Sequence, residues 1–157
     1  MFYYAYGANL NIENMKYRCP RAKRITNLTL PNHKLVFKGV ADIETSYGDN
    51  VEGVLWDISD ECERSLDIFE GFPHLYRKEY FTIRADGAIA RDYGDVIDVM
   101  VYKMNRSGYG QPSDMYLNTI RDGYEANGLD LDCLWDAYLH SRDNHTPSFY
   151  RSNNWGA

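Results

Sequence analysis

Apolar and polar positions along this chain follow two periods, and the first appears at the very start. Phe2 to Tyr6 are aromatic or apolar almost throughout, which suits a pleated, largely buried strand. Leu28 to Lys38 alternates as a second strand, with Pro31 predicting an edge or a bulge. Ala41 to Thr45 predicts a short strand, and Ser46-Tyr47-Gly48-Asp49-Asn50 a loop with turn chemistry. In Val51 to Ile58 the alternation places Glu52, Val54, Trp56 and Ile58 on one face. Tyr80 to Arg84 and Val96 to Met104 complete the strands, separated by a polar stretch, Ala85 to Gly94, read as a loop.

Helical spacing governs the rest. Ile12 to Cys19 predicts a short helix stopped by Pro20. Ser59 caps a helix whose first turn holds Asp60, Glu61 and Glu63, where carboxylates suit the positive helix end. Cys62, Leu66 and Phe69 share its apolar face, and Gly71 with Pro73 ends it, leaving Glu70 in the last turn. Ser113 caps a helix to Ala126 with Leu117, Ile120 and Tyr124 inward, and Leu131 to His140 is a last helix. The tail from Asn144 is polar but carries Phe149, Tyr150 and Trp155, so it is expected to fold back over the body.

Composition narrows the classes of function. A length of 157 residues suits one domain, with a core to about residue 140 and a tail beyond, and there is no apolar run long enough for a membrane span. A formal charge of −6 disfavours nucleic acid as a partner, so the basic cluster Lys16, Arg18, Arg21, Lys23 and Arg24 reads as a solvated face. Cys19, Cys62 and Cys133 are odd in number and far apart, which argues against a disulfide framework. With no basic segment ahead of an apolar one at the N-terminus, the expectation is a cytoplasmic protein. No cysteine or histidine spacing suggests a metal, and no cofactor motif is present. Fourteen tyrosines stand out, able to wall an apolar pocket while lending it hydroxyls.

Two stretches carry candidate chemistry. After the aromatic strand, Gly7 permits a tight turn and Asn9 tolerates the left-handed region; the amides of Gly7, Ala8, Asn9 and Leu10 would then point outward as an anion cradle. Glu70 would lie against the negative helix end among Phe69, Phe72 and Tyr76, both effects raising its pKa toward that of a general base or acid.

Tyr6-Gly7-Ala8-Asn9-Leu10 resembles the Tyr-Gly-Ser-Asn-Leu signature of the gamma-glutamylcyclotransferase family, and Leu66-Asp67-Ile68-Phe69-Glu70-Gly71 resembles the segment carrying that family's catalytic glutamate. The likeness extends through Tyr76, through Tyr102 in Val99-Met100-Val101-Tyr102 and through Tyr116 in Pro112-Ser113-Asp114-Met115-Tyr116, covering roughly residues 2 to 140. Ala8 replaces the family's serine; Glu70 to Tyr76 looks closer to the AIG2-like branch acting on gamma-glutamyl amines, while the opening motif leans toward the glutathione-cycle branch, so the resemblance leaves the departing amine open. The resemblance implies an α+β domain with a mixed, strongly curved, barrel-like sheet and flanking helices. It also implies cofactor-independent cleavage of a small gamma-glutamyl substrate by its own α-amine, releasing 5-oxoproline. Glu70 would be catalytic; Tyr3, Tyr4, Ala5, Tyr6, Gly7, Ala8, Asn9, Tyr76, Tyr102 and Tyr116 would bind substrate. Ala8 leaves open a binding module of the same fold without turnover. Hydrolysis by an activated serine or cysteine finds no support, since there is no Gly-x-Ser-x-Gly and no cysteine beside a histidine.

Two structural expectations follow. The first strand should be central in the sheet, and Glu70 should share one cavity with the turn Tyr6 to Asn9.

Overall fold

The computed structural model describes residues 1–155; the last two residues of the tail lie outside the described ones. Five strands form one mixed sheet in the order β2-β3-β1-β5-β4. They are β1 (Phe2–Ala5), β2 (Lys23–Phe37), β3 (Ala41–Asp57), β4 (Tyr76–Arg84) and β5 (Val96–Met104). The short first strand is the middle one, antiparallel to β3 from Phe2 opposite Asp57 to Ala5 opposite Val54, and parallel to β5 through Phe2–Val99 and Tyr3–Met100. Its buried sequence explains that position, because a strand covered on both faces has no polar side to offer solvent. The sheet is open rather than a closed barrel, with β2 and β4 as its edges.

The long β2–β3 hairpin turns at Lys38 to Val40. Pro31 marks both an edge strand and a register shift, and Asn32 beside it has φ 58°. Ser46 to Asp49 bulge out opposite Asn32 alone, so the expected loop is a bulge inside one continuous strand. Its ends stay in register because both flanks are paired to β2. Gly53 is needed for space: a Cβ there would lie 2.5 Å from the Tyr4 ring, which crosses β3 and donates its hydroxyl proton to the carbonyl oxygen of Val51 at 2.9 Å.

Among the described residues, five α-helices surround the sheet: α1 (Ile12–Arg18), α2 (Asp60–Glu70), α3 (Gly87–Tyr93), α4 (Asp114–Asn127) and α5 (Leu131–Asp143). Asn11, Ser59, Ser113 and Asp130 cap α1, α2, α4 and α5 through side-chain oxygens. Helix α3 occupies the stretch expected to be a loop. It has no buried residue, so it carries too few apolar positions to show a period. Strand β4 begins at Tyr76, four residues before its apolar alternation; Arg77, Lys78 and Glu79 hide it in the sequence, yet all three pair with β5. Helix α5 runs to Asp143, three residues past its expected end.

The cysteine reading is corrected. Cys19, just after α1, is bonded to Cys62 in α2, with sulfurs 2.07 Å and Cα atoms 5.0 Å apart. A separation of 43 residues hid the pair, which only the packing of α1 on α2 brings together. The cysteines therefore give no support to a reducing compartment. Among the described residues no helix is long and apolar enough to cross a membrane, and no three His, Cys, Asp or Glu side chains converge as metal ligands would.

A buried charge cluster stiffens the hairpin turn. Lys38 Nζ donates to Asp42 at 2.7 Å and to the carbonyl oxygen of Arg106 at 3.1 Å, and lies 3.3 Å from Glu44. Asp42 accepts from the amide of Met104 at 3.0 Å, and Glu44 accepts from the Tyr109 hydroxyl at 2.8 Å. With the Lys38 and Asp42 side chains 9% and 2% exposed, removing Asp42 leaves Lys38 in the core with only the more distant Glu44 to offset its charge and leaves the Met104 amide without its acceptor. Asp42→Ala is expected to destabilise the protein by about 3 kcal/mol or more, read as a fall in denaturation midpoint. A midpoint within error of wild type would show that the cluster contributes no net stability.

Candidate active site

Where β1 ends, Ala8 to Leu10 form a single 3-10 turn, and the cavity opens beside it. Tyr3, Tyr6, Gly7, Ala8, Asn9, Glu70, Tyr76, Tyr102 and Tyr116 all line this one space. Val40 and Ala41 of the hairpin turn and Tyr150 and Trp155 of the tail close it. Gly7 is favoured by close approach and not by a left-handed backbone: its φ is −122°, and a Cβ would lie a tight 3.1 Å from that of Ala41. The amides of Gly7, Ala8 and Asn9 meet no acceptor among the described residues. That of Leu10 is consumed by the carbonyl oxygen of Gly7 at 3.0 Å, so the cradle is one donor smaller than expected.

Glu70 is carried in by the last turn of α2. Gly71, in the left-handed conformation at φ 63°, closes that helix: its amide donates to Ile68 and that of Phe72 to Asp67, the paired bonds of a Schellman end. Glu70 remains half-buried as a residue, yet its carboxyl pKa is pushed up to about 8. Removal of the carboxylate from water is the cause, opposed by the charge of Arg18. Arg18 is lowered from its ordinary value by burial, which the Glu70 charge opposes. Its guanidinium lies 3.4 Å from the centre of the Phe69 ring and donates to the side-chain oxygen of Asn9 at 3.0 Å.

The tyrosine hydroxyls divide into two sets. Tyr6 donates to the carbonyl oxygen of Tyr102, Tyr76 to that of Ala41 at 2.6 Å, and Tyr102 to Asp67 at 2.6 Å. These three present only lone pairs to the cavity. Tyr3 instead accepts from the Asn9 amide nitrogen at 3.0 Å, and Tyr116 accepts from the backbone amide of Ala41 at 2.9 Å. Each of those two keeps a proton to donate. All five hydroxyls have pKa values raised chiefly by burial, which keeps them neutral. Asp67, which holds Tyr102, is anchored by Lys78 at 2.8 Å, and Lys78 also binds Glu63 at 2.7 Å.

Residues 3–124 match the protein family described as gamma-glutamyl cyclotransferase, AIG2-like. The chain belongs to that family. It is 31% identical to a human gamma-glutamylcyclotransferase over 83% of this chain and 73% of that protein. A bovine gamma-glutamylcyclotransferase is 30% identical over the same shares. A solved gamma-glutamyl cyclotransferase superposes with a TM-score of 0.73 at 25% identity, covering 100% of this chain and 92% of that one.

Within this family member, the sequence-predicted residues are not all brought together. Tyr4 and Ala5 do not line the cavity: both are buried in β1, Tyr4 pointing across β3 to the carbonyl oxygens of Leu28 and Val51. Alternation along the strand explains Tyr4, which must face the side opposite Tyr3. Arg18 was indistinguishable in sequence from its basic neighbours. Asp67 could have been found, standing three residues before Glu70 on the same turn of α2. Glu63, read as a first-turn carboxylate of α2, is also paired with Lys78.

The Glu70 shift has a consequence for stability. A carboxyl whose folded pKa exceeds its unfolded one favours the native state below the unfolded value of 4.5, and that advantage is lost as pH rises toward about 8. The unfolding free energy of wild type relative to Glu70→Gln, read from denaturation midpoints, is therefore expected to fall between those limits by an amount on the order of a few kcal/mol. A difference that stays constant with pH would show that Glu70 titrates normally.

Proposed function

We propose that this cyclotransferase-family protein cleaves a gamma-glutamyl amide by intramolecular attack of the substrate's α-amine, releasing 5-oxoproline and an amine or amino acid. The observation that carries the reading is a glutamate of raised pKa enclosed with five tyrosines beside a turn of free amides. These are the groups that such a cyclisation requires. The reacting amine and carbonyl belong to one molecule, so the protein must fold the substrate and move protons.

In this reading the amides of Gly7, Ala8 and Asn9 hold the α-carboxylate. Glu70 takes one proton from the α-ammonium, and the freed amine attacks the γ-carbonyl carbon. The carbonyl oxygen gains negative charge, which the spare hydroxyl protons of Tyr3 and Tyr116 suit. The ring nitrogen sheds a second proton, the carbon–nitrogen bond to the departing amine breaks, and that nitrogen leaves carrying both protons. Glu70 returns the first of them. Orientation of this kind supplies as much as about 7–11 kcal/mol, and a matched base about 10²–10⁴-fold. Tyr6, Tyr76 and Tyr102, presenting lone pairs, suit the ammonium before it is deprotonated.

The test is 5-oxoproline release from gamma-glutamyl dipeptides and gamma-glutamyl amines. Glu70→Gln keeps the shape but accepts no proton, so turnover is expected to fall by about 10²-fold or more with binding retained. Glu61→Gln, an exposed residue paired with Arg21 on the same helix, is expected to match wild type. Wild-type kcat/KM should climb with pH up to about 8, where the carboxyl ionises. A Glu70→Gln protein turning over at the wild-type rate would remove Glu70 as the base. A wild-type protein that binds these compounds without converting them would establish a binding module instead.

A further inference from the structure

The last described segment, Phe149 to Trp155, forms neither helix nor strand, yet it is a wall of the cavity that holds Glu70. Tyr150, Ser152, Asn154 and Trp155 face that cavity. Tyr150, Ser152 and Trp155 also line a second groove, bounded on its far side by Gly39, Gln111 and Ser113. The segment is thus the partition between the enclosed site and an open outer groove.

The body of the protein is shaped to receive it. The Ser113 hydroxyl donates to the carbonyl oxygen of Trp155 at 2.6 Å while accepting from the amide of Tyr116 at 3.2 Å, so the cap of α4 is also the anchor of the tail. The Trp155 ring meets Tyr116 edge-on at 5.0 Å and Phe69 at 6.3 Å, one on each side of the cavity. Phe149 lies over Gly110, where a Cβ would fall 2.1 Å from its ring. Gly39, at φ 81°, would likewise place a Cβ 1.9 Å from the carbonyl oxygen of Tyr150. Thr146 tethers the start of the segment, donating its amide to the carbonyl oxygen of Tyr109 at 2.8 Å. Two missing side chains on the body are therefore the space that the segment fills.

We propose that Phe149 to Trp155 is the specificity-determining wall of this site, with Trp155 limiting the bulk of the group attached to the substrate γ-carbonyl. The inference rests on the cyclotransferase reading. The α-amino acid end is confined between the Gly7 turn and Glu70. Its γ-substituent must therefore extend toward the partition, and the departing amine leaves past it into the outer groove. Because Trp155 touches Tyr116 and Phe69, it restricts the pocket by bulk rather than by charge.

Gly110→Ala tests this without deleting anything, since its added Cβ displaces Phe149 from a position whose backbone φ is not left-handed. A chain ending at Pro147 and Trp155→Ala serve as independent variants should Gly110→Ala fail to fold. Each is assayed for 5-oxoproline release from gamma-glutamyl-alanine and from the bulkier gamma-glutamyl-4-nitroanilide. The ratio of kcat/KM for the small substrate over the bulky one is expected to fall by about 10-fold, mainly through KM. Trypsin cleavage after the exposed Arg151 is expected to speed up in Gly110→Ala. A merely structural tail would lower both substrates in proportion; an unchanged ratio in all folded variants would overturn the proposal. An inert wild-type protein would overturn the cyclisation reading itself, and the wall with it.

Discussion

A carboxyl group withdrawn from water resists ionisation, and the arrangement of this protein turns on the place where that happens. Glu70 sits in the last turn of α2, held half-buried among aromatic side chains, with its carboxyl pushed up to about 8. A shift of that size needs a rigid surround, because water entering the site would restore the ordinary value. The surround is supplied from every part of the chain: β1 and its turn, the β2–β3 hairpin, β5, α4 and the tail. Arg18, stacked on Phe69 and bound to Asn9, places one positive charge close enough to oppose the shift without cancelling it.

The fold serves this by putting its shortest strand in the middle. β1 has four residues, yet it pairs with both β3 and β5 and delivers the chain into the turn that borders the cavity. Ala41 is the second fixed point. Its amide and carbonyl oxygen hold the hydroxyls of Tyr116 and Tyr76, and the buried Lys38–Asp42 pair next to it stiffens the hairpin turn. Tyrosine donors and acceptors are thereby assigned by fixed hydrogen bonds, to backbone for Tyr6, Tyr76 and Tyr116 and to side chains for Tyr3 and Tyr102, so the cavity acquires both donating and accepting hydroxyls. Such preorganised dipoles cost no reorganisation at the moment of reaction.

Membership of the gamma-glutamyl cyclotransferase family and the geometry of the cavity support the same chemistry from independent directions. The family follows from similarity along residues 3–124. The proton-transfer reading follows from burial, hydrogen-bond direction and charge in this chain alone. The tail lies beyond the matched residues and borders the same cavity.

Much of this was legible in sequence where local physics decides structure. Ser59 and Ser113 announced their helices, Gly71 ended the first of them, and an aromatic run at Phe2 to Tyr6 implied a strand covered on both faces. Glu70 was legible as a helix-end carboxylate among aromatic residues, but its catalytic reading came from the resemblance of Leu66 to Gly71 to the family's glutamate segment. Tertiary structure decided what depends on partners distant in the chain. It paired Cys19 with Cys62, gave Arg18 a role that its basic neighbours lack, and turned Tyr4 away from the cavity while Tyr3 faced it. It also made one strand of Ala41 to Asp57, because pairing with β2 on both sides overrides the turn preference of Ser46 to Asn50. Periodicity and capping act over a few residues and can be read from them. Burial, bonding partners and the direction of a hydroxyl proton are properties of a neighbourhood, and the neighbourhood exists only once the chain has folded.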